Sequence, residues 1–197
     1  MTSTYPELPA AFELRYLDEI QNLRQRCAQL AGEGASEGTI LWAKNQTSAQ
    51  GRCHQAWDSG INNLHCSIIL QPEFPRSQYG EIALVAIVAL GNALATHLTP
   101  MIALGYKWPN DLLIAGHKFA AVWLDASTDS KPWLCVTVSV NIQSSPEDFS
   151  IPAMSVAEAE GGTELNSKTL LETYARQFIT QINTWSERGM AAMVDQW

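Results

Sequence analysis

Residues 106–126 read YKWPNDLLIAGHKFAAVWLDA, and how this stretch folds decides the layout around it. A polar cluster, Lys107-Trp108-Pro109-Asn110-Asp111, runs into an apolar segment. The turn Ala115-Gly116-His117 follows, then Lys118 and a second apolar segment ending at Ala126. Two short apolar runs joined by a glycine-containing turn predict a β-hairpin, with strands over 111–115 and 118–126. Pro109 fixes its own φ and pushes Trp108 toward an extended backbone. Asn and Asp are turn formers, so Pro109-Asn110-Asp111 reads as a turn. A turn does not explain why a chain with only 12 Lys+Arg sets Lys107 and Lys118 on either side of this hairpin. Lysine is a compact cation suited to an anionic or developing-charge oxygen. Ala120 and Ala121 are small enough to let a ligand lie against the strand, and Asp111 is a carboxylate of the kind that holds Mg²⁺ beside phosphates. Together they fit a nucleotide-phosphate and carboxylate site; a solvated lysine pair is the plainer alternative.

Working outward, strands are expected at 102–107 and 132–142 around the hairpin. Upstream, TILWA (39–43) reads as a strand, and NLHCSIILQP as another stopped by Pro72. Residues 78–98 are apolar nearly all round and predict a buried helix. Leu17, Ile20, Leu23, Cys27 and Leu30 recur at helical spacing, and GEGASEG (32–38) ends that helix. A last helix is expected from Ser167, as N-cap, to Arg188, with Gly189 as its stop. Residues 1–13 read as a loose arm or an edge element. The polar stretch 44–63 is a long loop of the kind that carries function. Strands clustered around two main helices predict an α+β fold, a mixed and mostly antiparallel sheet flanked by helices, in one domain over 1–197.

Composition narrows the function classes. Hydrophobic residues make up 46% and charged residues 16% of 197 residues, as in a globular chain. A net charge of -8 argues against non-specific binding to nucleic acid or to an anionic membrane. The longest apolar run, IALVAIVAL (82–90), is short for a membrane span, and the N-terminus lacks a secretory pattern. Cys27, Cys53, Cys66 and Cys135 are scattered without a CxxC, which predicts free thiols in a reduced, cytoplasmic setting. Cys53-His54 and His65-Cys66 invite a metal site, but His65 and Cys66 on one strand should face opposite ways. Neither GxGxxG nor GxxxxGK[ST] is present.

KWPNDL followed by GHKFAAVWLDA resembles the KWPND(I/L)…G-x-K-(L/I)-x-G-(I/V)-L-x-E signature of biotin protein ligases, with the same spacing from Lys107 to Lys118. QTSAQGRCHQAW resembles that family's Q-T-A-G-R-G-R-x-G-R-x-W loop, placing Gln46, Thr47, Gly51, Arg52 and Trp57 in register. GINNLHCSI resembles the G-x-N-L-x-x-S strand, VSVNI (138–142) the G-I-G-(I/L)-N strand, and Leu165–Trp197 the final helix with its closing tryptophan. The resemblance implies the fold shared with class II aminoacyl-tRNA synthetases. It also implies an ATP-dependent biotin protein ligase: biotin and MgATP form biotinyl-5'-adenylate, and biotin then passes to a lysine of a biotin carboxyl carrier domain. On the same basis Lys118 meets the biotin carboxylate and α-phosphate, and Arg52 binds phosphates. Lys107, Asn110, Asp111 and Asn141 serve ATP and Mg²⁺, with Asp111 on the metal. Asn22, Gln46, Thr47, Gly51 and the backbone around Ala121 complete the ligand site, and loop 44–63 closes over the adenylate. Trp57 and Trp108 are read as core.

The chain also departs from that pattern. The loop reads Ala49-Gln50-Gly51-Arg52-Cys53-His54-Gln55, with one arginine where the family pattern has three. Ile20-Gln21-Asn22 stands for S-T-N, Ala121 for the glycine after K-L-x, Asp125 for the strand-end glutamate, and Val138-Ser139-Val140 for G-I-G. Neither the family's winged helix nor its small C-terminal barrel is expected, so a repressor role gains no support. Two alternatives stay open beside the ligase: a relative that binds biotin or nucleotide without efficient transfer, and a lipoate or octanoate transferase. The family leaves a homodimer open as well, while nucleic acid and membranes are not expected partners.

Overall fold

The structure, a computed structural model, describes residues 5–49, 60, 62–127, 131–146 and 152–197. A seven-stranded sheet forms its centre, in the order β1-β2-β3-β7-β6-β5-β4. The strands are β1 (Glu13–Ile20), β2 (Thr39–Gln46), β3 (Leu64–Leu70), β4 (Leu104–Lys107), β5 (Asp111–Ile114), β6 (His117–Ala126) and β7 (Leu134–Val140). Only β1 and β2 run parallel; every other neighbouring pair is antiparallel. The mixed, mostly antiparallel α+β layout expected from the sequence is therefore present.

The helices are α1 (Leu23–Gly32), α2 (Tyr79–Ala95), α3 (Val156–Glu160), α4 (Ser167–Arg188) and α5 (Ala191–Val194). They divide unequally between the two faces of the sheet. α2 and α4 pack on each other and on one face. Ile40, Cys66, Ile68, Val122, Val136 and Val138 meet them there in the main core. α1 lies on the other face, where Leu23, Cys27 and Leu30 form a smaller cluster with Leu41, Ala43, Ile69 and Cys135. Alternation along each strand sends one set of side chains to each layer. His65 and Cys66 accordingly face opposite ways, and among the described residues no group of three His, Cys, Asp or Glu could hold a metal. The three described cysteines are free and buried.

By length and composition the run Arg76–Ala95 could cross a membrane, but 67% of its most apolar 18-residue window is buried inside the fold. Gly91 in α2 lies against Tyr106 on β4; a Cβ there would collide with the Tyr106 hydroxyl.

Four expectations need correction. Residues 13–20 form β1, not the start of a helix: Leu17, Ile20 and Leu23 mimic a helical period across the strand-to-helix junction. The helix begins only after Asn22, whose side chain caps it by accepting from the Gln25 N–H. The hairpin turn is two residues long, Ala115-Gly116, both at positive φ (50° and 80°), since His117 already belongs to β6. The N-cap of α4 is Asn166, one residue before Ser167. Trp108 is 69% exposed, not core; its ring meets Trp197 edge-on, at 5.8 Å. Trp57 lies outside the described residues.

Candidate active site

A bulge decides where Lys118 points. Leu112 pairs with Ala120 and Leu113 with Lys118, so Phe119 is an extra residue on β6. Without it, Lys118 would share the face of Ala120 and Val122, which lie in the core under α2 and α4. With it, Phe119 turns into that core and is fully buried, and Lys118 moves to the opposite face with Leu113 and Asp111. The Lys118 backbone is held from outside: its N–H donates to Pro152 O at 2.9 Å, and its carbonyl accepts from Met154 N at 3.0 Å.

On that face Lys118 Nζ lies 2.8 Å from Asp111 Oδ1, with the two side chains 17% and 14% exposed. Lys107 stands directly opposite Asp111 in the β4–β5 register and is exposed. Directly opposed residues share a face, so both lysines flank one carboxylate. The row runs on across the sheet. Asp111 pairs with Ala121, Ala121 with Ser139, and Ser139 with His65. Asn141, two residues beyond Ser139, donates its backbone N–H to Phe119 O at 2.8 Å. Its side chain is 2% exposed, and its Oδ1 has no partner among the described residues. Lys107, Asp111, Lys118, Ala121 and Asn141 are thus brought together.

The remaining expected residues sit differently. Gln46 Oε1 accepts from the Leu23 N–H at 2.9 Å, and Asn22 Nδ2 reaches Ser48 O at 3.4 Å. Both side chains are engaged at the first turn of α1. Thr47 is exposed and donates its backbone N–H to Ile20 O. Asn110 turns into the sheet edge, donating from Nδ2 to Val122 O at 2.7 Å while its own carbonyl accepts from Val122 N. It is the clasp that fastens the Trp108–Asn110 turn to β6. Gly51 and Arg52 lie outside the described residues.

Sequence reading passed over three contributors. Asn63 Oδ1 accepts from Ile142 N and Gln143 N, holding the chain just after Asn141. Arg24 forms a two-pronged ion pair with Asp125, at 2.7 and 2.8 Å, and lies over the Trp123 ring. Ser139 Oγ lies 3.0 Å from His65 Nδ1. Residue type alone hinted at the last pair: a histidine and a serine at fully buried strand positions, beside a second polar pair, Ser67 and Thr137.

A cation pair around a carboxylate, on a sheet face with an unfilled buried acceptor, can bind an anionic ligand and stabilise charge that builds on it. A single carboxylate is a donor set that Mg²⁺ takes when phosphates supply the rest, so Asp111 fits that ion only together with a nucleotide. The sequence model of the biotin/lipoate A/B protein ligase family matches residues 8–197. The chain belongs to that family. It is 30% identical over 139 residues to the bifunctional ligase/repressor BirA of Bacillus subtilis, covering 69% of this chain and 42% of the relative. It is 27% identical to the biotin--[acetyl-CoA-carboxylase] ligase of Paracoccus denitrificans, over 83% of this chain and 71% of the relative. The chain thus spans less than half the length of the Bacillus relative. Among solved structures, the biotin protein ligase of Aquifex aeolicus in complex with biotin and ATP superposes with a TM-score of 0.77 at 26% identity, covering 90% of this chain and 73% of that one. A biotin protein ligase-like protein of unknown function from Silicibacter sp. superposes at 0.79, covering 98% of this chain and 79% of that one; at 23% identity it speaks for the fold alone.

Proposed function

We propose that this member of the family activates biotin with MgATP to biotinyl-5'-adenylate and transfers it to a lysine of a biotin carboxyl carrier domain. The observation that carries this reading is the bulge at Phe119, which sets Lys118 2.8 Å from Asp111 on the face that Lys107 shares. As the biotin carboxylate attacks the α-phosphorus and pyrophosphate departs, negative charge grows on the phosphoryl oxygens. Lys118 stabilises that charge, having little reorganisation left to do. Lys107 neutralises the polyphosphate from the exposed side. Asp111 would hold Mg²⁺, which screens the phosphates when bound. Asn141 Oδ1 accepts from the nucleotide.

The carrier has an open edge to meet. β5 ends its pairing with β6 at Ala121, and Asn110 covers Val122. By strand alternation the N–H and C=O of Leu124 and Ala126 then point outward, with no strand beside them among the described residues. A cavity of about 620 Å³ adjoins this edge, lined by Leu84, Trp108, Pro109, Leu124 and Met190 among others. A strand added there is collinear with β5 and ends beside Asp111. That would bring a carrier lysine to the adenylate.

The test is biotin-dependent exchange of pyrophosphate into ATP, followed by biotin transfer to a carrier domain. Exchange and transfer support the reading; tight biotin binding without exchange replaces it with the second one. That second reading, binding without transfer, is favoured by the loop at 49–55, which keeps one arginine of the family's three and so offers fewer two-pronged phosphate donors.

A further inference from the structure

β7 ends at Val140, and the chain leaves the sheet through Asn141, Ile142, Gln143 and Ser144. Backbone N–H groups that leave a ladder need other acceptors, and one side chain supplies them here. Asn63 Oδ1 accepts from Ile142 N at 2.8 Å, Gln143 N at 3.0 Å and Ser144 N at 3.4 Å. Its Nδ2 donates in turn to Ser144 O at 3.0 Å. Asn63 is 2% exposed and stands one step beyond the last pair of the β3–β7 ladder, Leu64 and Val140. The chain before it is tightly set. Asn62 takes a φ of 64°, and a Cβ on Gly60 would collide with Asn63 Nδ2 and Ser144 Oγ.

Asn141 is held on its other sides by the pieces that also hold Lys118. Its N–H donates to Phe119 O, the residue next to Lys118, and its carbonyl accepts from Val156 N. Pro152 and Met154, just before Val156, pair with the Lys118 backbone. Asn63 reaches the Asn141 end of this frame. Gathering the three N–H groups that follow Asn141 fixes its ψ, and with it the direction its side chain leaves the backbone. That side chain is the one whose buried Oδ1 has no partner among the described residues. A fixed backbone carrying an open acceptor meets a ligand without reorganising.

We propose that Asn63 is a positioning residue for the nucleotide: it aims Asn141 Oδ1, and so sets the affinity for ATP independently of the affinity for the acid. This inference rests on the adenylation reading above, in which Asn141 accepts from the nucleotide. Partners that orient a binding group matter nearly as much as the group itself.

The test is the split between KM values in pyrophosphate exchange. Asn63→Ala is expected to raise the KM for ATP about 10- to 100-fold, with the KM for biotin and the kcat at saturating ATP retained. A merely structural role would lower the folded fraction, and so kcat, with both KM values unchanged. That result overturns the inference, as does an equal rise in the two KM values. In an Asn141→Ala background the same substitution should add nothing further to the KM for ATP, since two residues acting through one group are not additive; additive effects overturn the inference. If Asn63→Ala does not fold, Asn63→Ser, with a shorter acceptor, carries the same comparison. If the wild type gives no exchange, the adenylation reading has failed, and the comparison moves to calorimetry with MgATP and with biotin separately. Weaker binding of MgATP alone upholds the role of Asn63. Equal binding by variant and wild type, or no binding of MgATP by the wild type, overturns it.

Discussion

At the scale of single residues, Lys118 and Asn110 show how neighbours in one motif divide labour. Lys118 faces the polar side of the sheet with Asp111; Asn110 faces the sheet edge and ties the turn to Val122. Lys118→Ala is expected to reduce biotin-dependent pyrophosphate exchange by about 100-fold or more, as loss of one preorganised donor does, with the unfolding midpoint lowered as well, because the largely buried Asp111 carboxylate loses its ion-pair partner. Equal exchange in variant and wild type would remove Lys118 from the chemistry. Asn110→Ala should do the reverse. It strands a buried carbonyl, which costs about 1–3 kcal/mol, and denaturant unfolding reads that loss directly. The residue types of the site were legible in the sequence, since Lys107, Asp111 and Lys118 stand out by charge and spacing. Side-chain direction was not. Asn22 Oδ1 and Gln46 Oε1 accept from N–H donors that a helix N-terminus leaves open, an arrangement their residue types did not announce. Trp108 read as core by hydrophobicity, but a residue at the tip of a turn has no second layer to cover it.

At the scale of elements, strong periodicity was legible and junctions were not. The all-round apolar helix and the β3 and β7 strands fall where expected, while β2 runs three residues beyond 39–43, to Gln46, into the polar stretch read as loop. β1 was hidden because a half-exposed edge strand running straight into a capped helix leaves no break in apolar spacing. The bulge at Phe119 was equally illegible, since an extra residue shows only when the partner strand is known. The β5–β6 turn holds Ala115 at a φ of 50°, a region that disfavours residues with a Cβ. Ala115→Asn, which tolerates that conformation, is expected to stabilise the fold by about 0.5–1 kcal/mol, measured by thermal unfolding. The open edge of β6 gives a sharper test. Leu124→Pro removes an outward N–H where a carrier strand would pair. Transfer to the carrier should fall at least tenfold while pyrophosphate exchange continues; the exchange itself reports that the variant has folded. Loss of both together, or of neither, would count against carrier docking at this edge.

At the scale of the whole molecule, the sheet separates stability from chemistry by face. The α2–α4 face is a closed apolar layer, and the opposite face carries α1 and the polar row from Asp111 to His65. Ligands should therefore add stability from one side without repairing damage on the other. With biotin and MgATP at a hundred times the dissociation constant, mass action adds about 2.7 kcal/mol, roughly 5–10 °C in Tm for a chain of this size. Biotin alone should give a smaller rise, because adenylate contacts to the lysines are missing. Leu90→Ala, in the middle of α2 and fully buried, is expected to cost about 2–5 kcal/mol yet keep the full increment from biotin plus MgATP. Lys118→Ala should start from a lower unliganded Tm and lose the ATP-dependent part of the rise. Differential scanning of the four combinations decides it: if Leu90→Ala abolishes the increment as well, the two faces are coupled through the sheet, and a site standing independently on its own side of the core is the wrong description.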